Sequence, residues 1–143
     1  MEFIKENTDI IDLISEKHGM LRSKCEQLWN EQGRVAISTS EWYVLSRIYG
    51  KEPAVSEVQK HLDISRQGIH KCLHSLQEKG IVRIIRRDGN RRDTFVSLTP
   101  FGEDCYEQYT SMKLALQQKI AGVIGEDGVY YMRELLKKDW FAS

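Results

Sequence analysis

The stretch SRQGIHKCLHSLQEKGIV, residues 65–82, has the pattern of one amphipathic helix with a defined start and end. Ser65 is of a residue type favoured just before the first turn of a helix, and Gly80 is of a type favoured just after the last. Between them, apolar residues recur three and four positions apart, which predicts a single buried face. The opposite face is polar, and it carries Arg66, Gln67, His70, Lys71 and His74.

A second short helix is predicted immediately before this stretch, at about 55–62, with three or four residues between the two helices. Two helices joined by so tight a turn, the second with an exposed polar face, are typical of a helix-turn-helix. The helix that precedes both has a clear start, because Ser38 and Glu41 have the spacing of a capping box. We expect this helix to end near Tyr49, before a glycine.

After Gly80 the pattern changes to that of a β-hairpin. Residues 81–87 and 93–98 are rich in β-branched and aromatic residues, and the segment DGNRR between them supplies residues that favour a turn. The predicted hairpin has a basic end, which carries Arg86, Arg87, Arg91 and Arg92 together with Asn90.

Longer helices are predicted on both sides of this central part: one that ends before Gly33, one from Pro100 to about Ala121, and one after Gly125. Their apolar faces are larger than a unit of this size can cover, so we expect them to pair with a second copy of the chain. The predicted organisation is a single domain, 1–143, with a central lobe at 38–99 and helical dimerisation regions at 1–37 and 100–143.

Charge is distributed unevenly along the chain, although the net charge is zero. Residues 1–16 carry five acidic residues against one lysine, whereas residues 65–93 carry eight basic residues against three acidic ones. A basic segment of this kind favours a polyanionic partner.

Three segments of the chain resemble the MarR family of bacterial winged helix-turn-helix regulators. They are ISTSEWYVL at 37–45, LDISRQGIHKCLHSLQEKGIV at 62–82 and NRRDTFVSLTPFGE at 90–103. The last is similar to the wing signature of the family through Arg92, Val96, Leu98, Thr99 and Gly102. The resemblance implies a mainly α fold with a small β-hairpin wing and with N- and C-terminal dimerisation helices. It also implies a homodimer that places two recognition helices on a palindromic operator in double-stranded DNA.

The DNA contacts predicted for the recognition helix follow from its exposed face. Ser65, Arg66 and Gln67 lie at the start of the helix, where backbone N–H groups can hold a phosphate. A glutamine suits adenine, and an arginine suits guanine or phosphate. His70, Lys71 and His74 lie further along the same face and suit base edges or the DNA backbone.

The basic hairpin supplies a second set of predicted contacts. Arg91 and Arg92 suit a narrow minor groove, where the negative potential is enhanced. Asn90 stands where the family usually has aspartate, so the guanidinium of Arg92 lacks the charged partner that the resemblance implies. We expect Asp88 or Asp93 to hold it instead, or a looser placement.

The sequence also argues against other classes of protein. No apolar run approaches the roughly 18 residues that a membrane span needs, and the acidic N-terminus is unlike a signal peptide. No phosphate-binding loop, dinucleotide-binding motif or nucleophile elbow is present, so we expect no enzyme. Three cysteines without a Cys-x-x-Cys pair indicate a reducing cytoplasm rather than a disulfide framework.

Neither a metal nor another cofactor is expected. His70 and His74 stand four residues apart, but the glutamate of a zinc-protease motif and a third ligand are missing. Some relatives of the family use a cysteine of the first helix for redox sensing, and Cys25 is the candidate here. Its place in an apolar stripe favours a packed, inert thiol, and the same holds for Cys72 and Cys105.

The function predicted from these features is that of a sequence-specific DNA-binding transcriptional regulator. The resemblance implies a dimeric repressor that a small molecule or another signal releases from its operator. Two alternatives stay open: a winged-helix scaffold that binds only proteins, since a fold does not dictate a function, and a regulator that senses oxidants through Cys25.

Overall fold

The computed structural model describes residues 8–60, 62–86 and 94–142. Its elements, in chain order, are α1 (Ile10–Asn30), α2 (Thr39–Ile48), α3 (Val55–Lys60), α4 (Arg66–Glu78), β1 (Val82–Arg86), β2 (Thr94–Leu98), α5 (Pro100–Ile124) and α6 (Glu126–Lys137). The predicted fold class is confirmed: the described chain is mainly helical, and β1 pairs with β2 in an antiparallel sheet that forms the wing.

The helices begin where the sequence places their caps. Asp9 accepts a hydrogen bond from the Asp12 N–H at the start of α1. At the start of α2, Ser38 and Glu41 form both hydrogen bonds of the predicted capping box. Gly80 has a φ of +74° just after α4, the left-handed conformation that glycine adopts without strain.

The prediction that α5 ends near Ala121 was wrong, because the helix continues to Ile124. Gly122 does not interrupt it, since a single glycine inside a long helix costs only about 1 kcal/mol. The helix stops instead at Gly125, where φ is +86°.

The chain forms two compact units, one up to Gln108 and one from Tyr109 onward. The first unit contains the core. An aromatic cluster lies within it: the rings of Trp29 and Trp42 meet edge to face at 5.0 Å, and the ring of Tyr106 lies 6.4 Å from that of Trp42. Trp29 is only 1% exposed. Around α2, α3, α4 and the wing, the fully buried aliphatic side chains include Leu45, Ile48, Ile69, Leu76, Ile81 and Val96.

The wing is joined to the helix-turn-helix through its second strand. The Val96 N–H donates to the Pro53 carbonyl at 3.0 Å, and Ala54 forms an isolated bridge with Phe95. The segment before α3 therefore extends the two-stranded sheet by one short step, which fixes the base of the wing against the start of α3.

The second unit buries little of its own apolar surface. None of the residues of α6 is buried, and Trp140, just beyond its end, is 54% exposed although its indole N–H donates to the Leu135 carbonyl at 2.8 Å. The exposed large apolar residues of this unit are Leu114, Val123, Ile124, Tyr130, Tyr131, Met132, Leu135, Leu136, Trp140 and Phe141. Among the described residues, no helix combines the length and the apolar character required to span a membrane.

Candidate nucleic-acid interface

Helix α4 separates its two faces as the sequence predicts. Ile69, Leu73 and Leu76 are buried against the rest of the first unit. The Ser65 hydroxyl accepts a hydrogen bond from the Gly68 N–H at 3.0 Å and so caps the helix. All six predicted contact residues of this segment are exposed: Ser65, Arg66, Gln67, His70, Lys71 and His74.

The structure brings three of the predicted residues together around one groove. His70 and His74 of α4 face Arg86 of β1 across a groove of about 350 Å³, which Leu73 and Thr94 help to line. His74 Nε2 also lies 3.0 Å from Glu78 Oε1, one turn further along the helix. A cation from the wing and two imidazoles from the helix therefore border the same concave surface.

Four predicted contacts of the hairpin lie outside the described residues. They are Arg87, Asn90, Arg91 and Arg92, and the same is true of their predicted partners Asp88 and Asp93. Their contact with DNA, and the placement of Arg91 and Arg92 in the minor groove, remain predictions.

An ion pair that the sequence reasoning missed holds the far end of α4. Glu41 is 5% exposed, and its two carboxylate oxygens accept hydrogen bonds from Lys79 Nζ at 2.9 and 3.1 Å. Burial raises the pKa of a carboxyl group, but hydrogen bonds from the Ser38 N–H, Lys79 and Ser75 outweigh burial, so the pKa of Glu41 lies below its ordinary value. The capping-box spacing marked Glu41, but no local signal linked it to a lysine 38 residues later.

The wing meets the start of α5 at a very close backbone contact. The Thr99 hydroxyl donates to the Gly80 carbonyl at 2.6 Å and accepts from the Gly102 N–H at 3.0 Å. A Cβ at Gly102 would lie 2.1 Å from the Ile81 carbonyl oxygen. Only glycine fits this position, which gives a physical reason for the threonine and glycine of the wing signature.

The cysteines offer no reactive site in this structure. Cys25 and Cys105 are buried, and all three thiols are free. Burial raises the pKa of both Cys72 and Cys105, which disfavours the reactive thiolate. Within residues 8–60, 62–86 and 94–142, no cluster of three or more potential metal ligands occurs.

The comparison with known families agrees with the resemblance inferred from the sequence. Residues 37–93 match the model of the MarR family. This match confirms the predicted resemblance over α2, α3, α4 and β1. Members of this family are transcription regulators, in agreement with the expectation from the sequence that the chain is not an enzyme. No curated protein matches the chain in sequence.

Solved structures with the same fold cover nearly the whole chain. FabT of Streptococcus pneumoniae, solved in complex with DNA, has a TM-score of 0.72 at 21% identity, over 89% of this chain and 90% of its own. MepR, a transcription regulator of the Staphylococcus aureus multidrug efflux pump MepA, has a TM-score of 0.72 at 17% identity, over 90% and 94%. NadR in complex with 4-hydroxyphenylacetate has a TM-score of 0.68 at 18% identity, over 95% of each chain.

Proposed function

We propose that this chain, whose residues 37–93 match the model of the MarR family, is a homodimeric, sequence-specific regulator of transcription that binds double-stranded DNA. The exposed polar face of α4 is the observation that carries the proposal. It is capped, supported from behind by aliphatic residues, and bordered by a basic wing. FabT, which shares the fold, was solved in complex with DNA.

The major groove is the natural place for α4. A B-DNA major groove is wide enough for one α-helix, and the donors and acceptors of its base edges distinguish all four base pairs. Gln67 and Arg66, near the start of the helix, suit adenine and guanine, while Ser65 and the first backbone N–H groups suit a phosphate. Lys71, His70 and His74 extend the same contact surface toward the wing.

The wing would contact the backbone or the minor groove beside α4. Arg86 already borders the groove that His70 and His74 line, so its guanidinium can reach a phosphate next to bases read by the helix. Arg87, Asn90, Arg91 and Arg92 extend this proposed contact surface along the hairpin, as the resemblance to the wing signature implies.

A second copy of the chain would cover the apolar residues that one copy leaves exposed. In the first unit these include Ile10, Ile11 and Ile14 of α1, and in the second unit they extend along α6. Exposed apolar patches of this extent mark interaction surfaces. We therefore assign the flanking regions 1–37 and 100–143 to dimerisation, which gives a palindromic operator with half-sites roughly 10 base pairs apart.

The direction of regulation follows from the family alone. The resemblance to the MarR family implies a repressor, and NadR, which shares the fold, was solved with the small molecule 4-hydroxyphenylacetate. A small molecule that binds one of two dimer conformations more tightly would shift the population away from the DNA-binding one. We propose that this chain is a repressor that a small molecule releases from its operator, and that it acts on the chromosome in the bacterial cytoplasm.

The two alternative functions, a protein-binding scaffold and a redox sensor, require different properties of the chain. A protein-binding scaffold would retain the fold without affinity for DNA. A redox sensor would need an accessible thiol at Cys25, and that residue is buried in α1. The exposed cationic and polar face of α4 supports the DNA-binding function over both.

Selection from a library of random duplexes tests the proposal. The protein should enrich one palindromic sequence, here called the selected duplex, and footprinting should show two protected half-sites. The logarithm of its affinity should fall linearly with the logarithm of salt concentration, because bound phosphates release counterions. A chain that enriches no sequence and binds no duplex at low salt is not a DNA-binding regulator, and the scaffold would then be favoured.

A further inference from the structure

Glu41 is a charged group in the interior of the first unit, and DNA contact does not account for it. Its side chain lies at the first turn of α2, almost entirely removed from solvent. A buried charge is costly unless it is paired and hydrogen-bonded. The chain meets this requirement with a set of directional contacts, so the position has a defined role in the geometry of the lobe.

The partners of Glu41 lie at the end of α4. Lys79, the C-terminal cap residue of that helix, donates to both carboxylate oxygens, at 2.9 and 3.1 Å. The Ser75 side chain, one turn earlier, is a further hydrogen-bond partner. On its own helix the carboxylate accepts from the Ser38 N–H at 2.9 Å. One carboxylate therefore ties the start of α2 to the last turn of α4.

Helix α2 is itself held firmly in the first unit. Trp42, the residue after Glu41, contacts Trp29 of α1 edge to face and lies within 6.4 Å of the Tyr106 ring in the first turns of α5. Because the end of α4 is bonded to the start of α2, it is held in position relative to the core of the first unit.

The other contacts of α4 do not set its angle as tightly. Ile69, Leu73 and Leu76 supply burial, but hydrophobic attraction has no preferred direction. Directional contacts hold the helix at its two ends: the Ser65 cap at the start, which is local, and the Glu41–Lys79 pair at the end. Of these two contacts, the Glu41–Lys79 pair connects α4 to another helix.

We propose that Glu41 and Lys79 are positioning residues for DNA recognition, which set the angle at which α4 presents its polar face to the bases. The inference rests on the proposed DNA-binding function and assigns two residues to it that do not touch DNA. The lowered pKa of Glu41 supports it, since the carboxylate is charged at neutral pH and the pair is then intact.

Lys79 could instead be read as a phosphate ligand, because it lies at the end of α4. Its side chain is 26% exposed and is paired with Glu41, whereas Lys71 lies on the exposed face of the same helix. The two roles differ in what they do to the salt dependence of binding. A phosphate ligand contributes about one unit to the salt slope, and a positioning residue contributes none.

The experiment compares three variants on the selected duplex and on a scrambled duplex of equal length, across a range of salt concentrations. Lys79→Met should lower the ratio of the two affinities about tenfold and leave the salt slope unchanged, because misaligned bidentate base contacts lose discrimination. Lys79→Arg should restore most of this ratio, since arginine pairs with a carboxylate through two hydrogen bonds. Lys71→Met is the matched control, and it should weaken binding to both duplexes and reduce the salt slope by about one.

A further variant tests whether a loss of stability alone changes the affinity ratio. Cys105→Ala removes a buried side chain of α5 without touching the pair, and at a temperature where it remains folded its affinity ratio should equal that of the unmodified protein. An unchanged ratio for Lys79→Met, or an equal loss on both duplexes with a reduced slope, would overturn the positioning role. If the unmodified protein shows no preference for the selected duplex, it is the proposed function that fails.

Discussion

The two units of this chain use similar amphipathic helices but treat their apolar faces in opposite ways. The unit up to Gln108 buries the aliphatic face of α4 and leaves a polar face exposed, whereas the unit from Tyr109 onward leaves the apolar residues of α6 exposed. The first contains the buried core and exposes a surface suited to a polyanion. The second lacks a cover for its apolar surface, which a second copy can provide. Amphipathic periodicity predicts a helix in both cases, but it does not specify what covers the apolar face.

The largest effect is expected where the second unit is most exposed. The double substitution Met132→Glu and Leu136→Glu places charges on the apolar side of α6, and burial of each such side chain is worth about 1.5–3 kcal/mol. Twofold symmetry repeats the change in each copy, so the dimer dissociation constant should rise at least about a hundredfold. Sedimentation equilibrium measures this dissociation constant. Arg133→Glu, next to Met132, is the control and should change dimerisation little; dimers of equal strength in both proteins would remove α6 from the interface.

Two glycines of α5 test the contrast between the units directly. Gly102 lies in the filled first unit, and Gly102→Ala should lower the free energy of unfolding by about 3 kcal/mol, since the added Cβ meets the Ile81 carbonyl oxygen and the backbone must shift. Gly122 lies in the second unit, and apart from the adjoining residues and backbone of its own helix no described atom lies within 4 Å of an added Cβ. Gly122→Ala should therefore raise helix stability by about 1 kcal/mol. Urea unfolding measures both.

The two glycine results can also contradict the comparison. If Gly102→Ala is neutral, the wing and α5 are not in close backbone contact. If Gly122→Ala destabilises the protein only at concentrations where it is dimeric, a helix of the second copy packs against that position.

The buried charge of the first unit should appear in its pH dependence. A carboxyl group whose pKa is lowered by folding contributes stability above its unfolded pKa, near 4.5, and this contribution is lost as pH falls through the lower folded pKa. At neutral pH, Glu41→Gln should cost about 1.5–3 kcal/mol, the worth of hydrogen bonds to a charged group. The difference between the two proteins should shrink as pH falls below 4.5, as measured by urea unfolding at several pH values. If the difference in unfolding free energy does not change with pH, altered packing and not the charge of Glu41 causes the destabilisation.

The last prediction concerns the exposed face of α4. Gln67→Ala should reduce the discrimination between the selected and scrambled duplexes by about 1–3 kcal/mol, if the glutamine contacts a base in two places. Stability should not change, because the residue is exposed. Competition binding at fixed salt concentration measures the ratio. Equal losses on both duplexes would make Gln67 a backbone contact.

Local signals predicted most of the first unit correctly. The capping box at Ser38 and the glycine after α4 set helix ends by contacts within a few residues, and such contacts are readable from the sequence. The enrichment in β-branched and aromatic residues predicted both strands, which the structure places at Val82–Arg86 and Thr94–Leu98. The exposed face of α4 followed from helical spacing alone, so the six contact residues predicted for this segment were located before the structure.

Contacts between distant residues were beyond local signals. The Glu41–Lys79 pair joins residues 38 positions apart, and the aromatic cluster around Trp29 joins three helices; neither leaves a pattern in one sequence. The end of α5 was predicted too early. The free-energy cost of Gly122 inside the helix is smaller than the stabilisation from packing and from the neighbouring helical turns, so the helix continues past it. Along α1, Cys25 is buried whereas Ile14 and Leu21 are exposed, and helical spacing alone does not distinguish these positions.

The three tryptophans give the chain an internal set of optical reporters. Trp29 and Trp42 lie in the dry interior of the first unit, 5.0 Å apart, whereas Trp140 is 54% exposed in the second. Indole emission shifts to the red in water, so the blue component should follow melting of the first unit. The red component should shorten in wavelength when a partner shields Trp140. Assembly and melting can thus be followed in one unlabelled sample.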